Sequence, residues 1–123
     1  MKLKTIGMGL FAALVVTATA SATLLTDQVT HIASVRVAIG SPSVGVIEMT
    51  EDSAARPTCS TFSQGGGTVG RFLAIDLSSD GGRESLKLAQ EALLAGKSVR
   101  IVGTGFCTIS TAKENLSQIY MFQ

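Results

Sequence analysis

Two hydrophobic periods run through the chain, and the change from one to the other separates a helix from the strands around it. From Thr30 onward, Val35, Val37 and Ile39 alternate with Ser34, Arg36 and Ala38, the period of two expected of a half-buried strand. Gly40-Ser41-Pro42-Ser43 supplies turn residues, and Val44 to Met49 predicts the return strand of a hairpin, its apolar run interrupted by Glu48. Residues 51–67 contain Pro57, Cys59 and Gly65-Gly66-Gly67 and predict a tethered loop. No Lys-Ser/Thr follows the glycines, so they suit a turn rather than a phosphate cradle. Alternation resumes over 69–77, with Leu73, Ile75 and Leu77 on one face and Asp76 on the solvent side.

Beyond Ser78-Ser79-Asp80-Gly81-Gly82 the period lengthens to 3.6. Leu86, Ala89 and Leu93, flanked by Leu88, Ala92 and Leu94, make the stripe of a packing helix over 82–95. Glu84 favours its amino end, and Gly96 with Lys97 predicts a left-handed stop followed by a cation. Residues 98–102 return to strand, Val99 and Ile101 inward, and Gly103-Thr104-Gly105 marks a bulge or bend. A polar stretch over 111–115 precedes a last strand over 116–122, where Ile119 and Met121 oppose Tyr120 and Phe122. The fold class is therefore mainly β with one helix, α+β by content: a five-stranded OB-like barrel in the order β-β-β-α-β-β. A β-sandwich with one helix, or a two-layer α+β sheet, satisfies the same string.

The amino terminus changes the count of folded residues. Lys2 and Lys4, an apolar run from Ile6 to Val16, and small residues up to Ala22 form the three parts of an export signal. The apolar run is shorter than the roughly 20 residues a spanning helix needs. Cleavage is expected after Ala22, with Ala20 as the alternative, and no Cys near that point indicates a lipid anchor. The chain divides into a signal peptide, residues 1–22, and a single OB-like domain, residues 23–123, secreted or periplasmic. Loss of Lys2 and Lys4 leaves eight basic against nine acidic side chains, a net charge of −1, with the basic residues scattered. That distribution argues against nucleic acid as a partner, and no second apolar segment predicts a membrane span in the mature chain.

Both cysteines, Cys59 and Cys107, survive cleavage, and in an exported chain a disulfide is the default. Two free thiols or an intermolecular bridge are the competing arrangements. Closing a loop of this length removes about 4 kcal/mol of denatured-chain entropy.

The segment from Leu86 to Cys107, LKLAQEALLAGKSVRIVGTGFC, resembles the matching region of the B subunits of subtilase-cytotoxin-type and related pertussis-like bacterial toxins. Those place a helix and then G-[KQ]-x-V-R-I before a late strand. Gly96, Lys97, Val99, Arg100 and Ile101 carry the match, and Cys59 stands ahead of the helix as a core cysteine does there. The resemblance implies an OB-fold protomer that assembles as a ring of five and binds cell-surface glycans, often sialylated. It further implies that a hydroxyl near the start of the first strand, falling on Thr30, holds the sugar carboxylate.

Residues that could carry chemistry are few. His31 is the sole histidine; a metal there would need carboxylates such as Asp27, and its spacing from Ser34 and Asp27 does not support a triad. A surface histidine at a strand start suits it better. Glu48, Glu51 and Asp52 admit a hydrolase pair, a calcium site or a solvated loop, the last being commonest. Arg100 and Arg36 suit a solvated face, an anionic sugar or a neighbouring protomer. Thr30, His31 and Arg36 are the candidate ligand-binding residues, with no catalytic set, metal or cofactor expected. The function that follows is a non-enzymatic binding module for a glycan or protein partner, a homo-oligomer by resemblance. The alternative is a structural, stress or inhibitor protein without a glycan site.

Overall fold

The computed structural model describes residues 25–53, 55–65, 67 and 69–123. The expected signal peptide and its cleavage point lie outside the described residues. Five strands and one helix follow in the expected order: β1 (Asp27–Ala38), β2 (Val44–Met49), β3 (Phe72–Asp76), α1 (Asp80–Ala95), β4 (Ser98–Gly103) and β5 (Glu114–Met121). In space the strands neighbour one another as β1-β2-β3-β5-β4 and close into a barrel, so the spatial order departs from chain order at β4 and β5. β1 closes the ring by pairing antiparallel with β2 through its second half and with β4 through its first. The β3–β5 contact is the exception, a parallel ladder of two residue pairs, Leu73↔Glu114 and Ala74↔Asn115.

A register shift between Ile32 and Ser34 explains how one strand serves two partners. Before it Thr30 and Ile32 face the interior; beyond it Val35 packs against the core. The extra residue bends β1 and resets its phase, as bulges do. The inward face expected to continue through Val37 and Ile39 runs out, because the hairpin tip projects past the barrel: Val37 is half exposed and Ile39 is 96% exposed.

The core gathers Ile32, Ile47, Met49, Leu73, Ile75, Val99 and Ile101 from the strands, with Ala89 and Ala92 from α1. Alanines at the contact let the helix axis approach the barrel closely, whereas Leu93 and Leu94, expected in or beside the packed stripe, lie on the solvent side. α1 begins two residues earlier than its periodicity predicts. Ser79 is extended and its Oγ accepts from the Gly82 N–H, which supplies an N-cap that apolar spacing cannot reveal. Gly96 ends the helix in the left-handed region, φ 64°, as expected. The expected strand over 69–77 is shorter at both ends, and β5 starts earlier, inside the stretch expected to be a polar connection.

Cys59 and Cys107 are disulfide-bonded, their Cα atoms 6.0 Å apart. The bond ties the β2–β3 connection to the β4–β5 connection at one end of the barrel. No helix among the described residues is long and apolar enough to cross a membrane.

Candidate functional site

Alternation along β1 sends Thr30 and His31 to opposite faces. Thr30 is 2% exposed, and its hydroxyl bonds to Thr50 Oγ1 and donates to the His31 carbonyl, each at 3.3 Å. His31 lies outward on β1 in register with Ser98 of β4. Arg36 lies outward beyond the bulge, where β1 pairs with β2 rather than β4. The three residues therefore do not converge on one hollow: Thr30 sits inside the wall on which the other two stand apart.

Around Arg36 the outer face is a connected polar and aromatic cluster. Glu48 Oε2 accepts from Ser34 Oγ at 2.7 Å and from Arg36 Nη2 at 3.4 Å. The guanidinium lies 5.8 Å from the Phe72 ring centre. Phe72 is almost fully buried because Phe62, on the disulfide-tethered loop, packs edge-on against it at 4.8 Å. Lys113 Nζ then stands 3.9 Å over the Phe62 ring, and burial lowers its pKa. Two cations thus bracket an edge-to-face pair of aromatics, each attracted to a ring face, and the loop is held down by side chains as well as by its disulfide. Arg36 is visible in the sequence but the rest of the cluster is not, since Phe62 reaches Phe72, and Lys113 reaches Phe62, only through loop closure.

A second outward surface spans β1, β4 and β5. Arg100 grips Asp27 with two bonds of 2.9 Å from Nε and Nη2. Those bonds hold the Asp27 carboxyl below its ordinary range and the guanidinium above its own. Val29 and Tyr120 flank Arg100 in register on either side, both about half exposed.

The acidic residues singled out in the sequence are dispersed: Glu48 serves Ser34, while Asp52 pairs with Arg71 at 2.6 Å. Among the described residues, no three His, Cys, Asp or Glu side chains are grouped to hold a metal.

The acid with the most unusual surroundings is one the sequence does not advertise. Glu114, at the start of β5, is fully buried, and both its oxygens accept from the Thr26 N–H, at 2.9 and 3.1 Å. Gly103 N–H donates to the Thr26 carbonyl at 2.7 Å, so β4, β5 and the segment entering β1 are locked together. Burial raises the Glu114 pKa, opposed by the Thr26 bonds. Next to it, Asn115 Oδ1 accepts from the Thr108 and Ile109 N–H groups, and its amide donates to Thr108 Oγ1. These residues organise the β4–β5 connection.

A cavity of about 300 Å³ opens where β3 and β5 part company. Ile75, Asp76, Leu116 and Ser117 line it from the strands, Ile109 from the β4–β5 connection and Ser85 from α1. Nothing in the apolar pattern marks it, because it arises from two strands diverging after two paired residues. Comparison of the chain with protein-family models, with curated proteins and with solved structures finds no match.

Proposed function

We propose that this chain is an exported OB-fold binding module of toxin-B-subunit type, which recognises a glycan or protein on a target surface and self-assembles. The observation that carries the proposal is the closed strand ring β1-β2-β3-β5-β4 with its one helix between β3 and β4, the connectivity of a small Greek-key barrel, an architecture whose strand faces and loops bind oligosaccharides in other proteins. The intramolecular disulfide suits an oxidising compartment, periplasmic or extracellular. His31 and Arg36 stand outward and are reachable from solvent, with Thr30 behind them in the wall. A ring of five is the assembly implied by the resemblance of residues 86–107.

Size-exclusion chromatography with light scattering, followed by a glycan array on the same oxidised material, tests the proposal. A defined oligomer that binds a restricted set of sugars is expected. A monomer that binds none would refute it. Mass spectrometry of protein recovered outside the cytoplasm is expected to find Thr23 as the first residue and both sulfurs resistant to alkylation without reductant.

A further inference from the structure

We infer that the cavity between β3, β5 and the start of α1 binds a neutral polyhydroxylated ligand, a single unmodified pyranose being the best-matched class. The inference rests on the binding role proposed above and assigns that role to a place away from Thr30, His31 and Arg36.

The cavity exists because the parallel β3–β5 ladder stops after Ala74↔Asn115 while both strands continue. Ile75 and Asp76 on one side and Leu116 and Ser117 on the other are left to line a cleft instead of a seam. Its volume, about 300 Å³, lies at the small end of the range for small-molecule sites. One sugar ring is the size of guest it admits.

The lining selects chemistry as well as size. Ile75, Ile109 and Leu116 offer an aliphatic floor to the C–H face of a ring. Asp76 Oδ1 is occupied by the Ser78 N–H and hydroxyl, at 2.9 and 2.6 Å, but Oδ2 takes neither bond and remains an acceptor for ligand hydroxyls. Ser85 Oγ donates to the Gly81 carbonyl at 2.8 Å and keeps its acceptor lone pairs. The Ser117 hydroxyl has no hydrogen-bond partner among the described residues. A carboxylate oxygen and two hydroxyls around an aliphatic floor match a guest that is both donor and acceptor along its rim.

Charge disfavours the acidic sugars: Ser79, Gly81 and Gly82 bring the amino end of α1 to the lining, but its partial positive charge, about half a unit, is smaller than the full negative charge of Asp76. Among the described residues no cationic side chain lines the cavity, and the closest one in sequence, Arg83, spends its guanidinium on the Leu77 and Ser78 carbonyls and on Asp80. The Asp76 carboxylate is ionised at neutral pH, the Ser78 bonds lowering its pKa further, and repels a carboxylate or phosphate. With no aromatic ring among the described lining residues, a flat aromatic guest finds no stacking partner there either.

The test is a titration of the oxidised, isotope-labelled protein, followed by amide NMR, with glucose, galactose and N-acetylglucosamine, and with N-acetylneuraminic acid as the acidic comparator. Saturable shifts confined to residues 75–85, 109 and 116–117 are expected with at least one neutral sugar and absent with the acidic one. Ser117→Leu, at an exposed position, fills the cleft and should weaken binding at least tenfold without lowering the melting temperature. Asp76→Asn, which keeps the oxygen used by Ser78, should weaken it several-fold. Saturable sugar binding whose shifts map to Thr30, His31 and Arg36, or which survives Ser117→Leu, would overturn the cavity assignment while leaving the binding module intact. Preference for the acidic sugar in the cavity would overturn the charge argument. No saturable shift with any of the four would overturn the cavity assignment, and a ligand found on the glycan array would then keep the broader proposal alive.

Discussion

Replacing Gly103 by alanine should damage the fold out of proportion to one methyl group. A Cβ at that position would lie 1.9 Å from Glu114 Oε2 and 2.1 Å from Cδ. Such a separation is far inside contact distance, so either the carboxylate or the β4 backbone must move. The carboxylate is fully buried and gives both oxygens to Thr26 N–H, and moving it leaves a buried charge without its donor. Loss of a hydrogen bond to a charged group costs about 1.5–3 kcal/mol, and an uncompensated buried charge raises this to about 3–5 kcal/mol. For a domain of roughly 100 residues each kcal/mol lowers the melting temperature by about 4–8 °C, so a drop of at least 12 °C is expected. The measurement is a double-mutant cycle by thermal or urea unfolding with Gly103→Ala, Glu114→Ala and the pair. Removing the carboxylate makes room for the new methyl, so the pair should be no less stable than Gly103→Ala alone. A Gly103→Ala protein that melts within about 2 °C of wild type, a shift worth under half a kcal/mol, would refute the reasoning. So would strictly additive energies, since contacting residues are expected to couple.

Other perturbations probe the remaining contacts. Glu114 has a folded pKa above its unfolded value because burial disfavours the ionised form. Its contribution to stability is therefore fully present below the unfolded value near 4.5 and lost as pH rises through the folded pKa; unfolding curves of wild type against Glu114→Gln across pH 3–8 should show wild type losing ground as pH rises. Asp27 runs the opposite way: the Arg100 bonds lower its pKa, so its contribution is present above 3.8 and lost as pH falls through the folded value, and the difference between wild type and Asp27→Asn should collapse in acid. Reducing the disulfide, or replacing both cysteines by serine, opens a 48-residue loop and should cost about 4 kcal/mol, read by calorimetry with and without reductant. Phe62→Ala uncovers Phe72 and removes the ring under Lys113, with an expected loss of about 2 kcal/mol and faster proteolysis of the tethered loop.

Element order and type were legible wherever a stretch buries one face. Val99 and Ile101, or Leu73 and Ile75, alternate because a strand must turn every second side chain into the same core, and that constraint is local. The Gly96 stop was legible for the same reason, since a left-handed residue is demanded by the helix end itself. The candidate site was far less so. Arg36 is visible as a charge in a strand, but Phe72 beneath it, Phe62 against Phe72 and Lys113 over Phe62 come from three separate stretches of chain. Glu114 and Asn115 were expected in a polar connection, because hydrophobic patterning assigns any polar pair to solvent. Only when Thr26 and the β4–β5 connection close over them do their polar atoms find enough donors to make burial tolerable.

What the amino acids determined unaided is therefore the list of elements, the helix end and the cysteine pair available for bonding. Three-dimensional closure decided the rest: that β5 lies between β3 and β4, that the β1–β2 hairpin tip carries Val37 and Ile39 past the core, and that two strands diverge to leave a polar-rimmed cleft. The physical reason is range. Periodicity records which face of a segment avoids water, whereas a seam, a cleft or a buried carboxylate exists only between segments far apart in the chain, whose mutual placement no single stretch encodes.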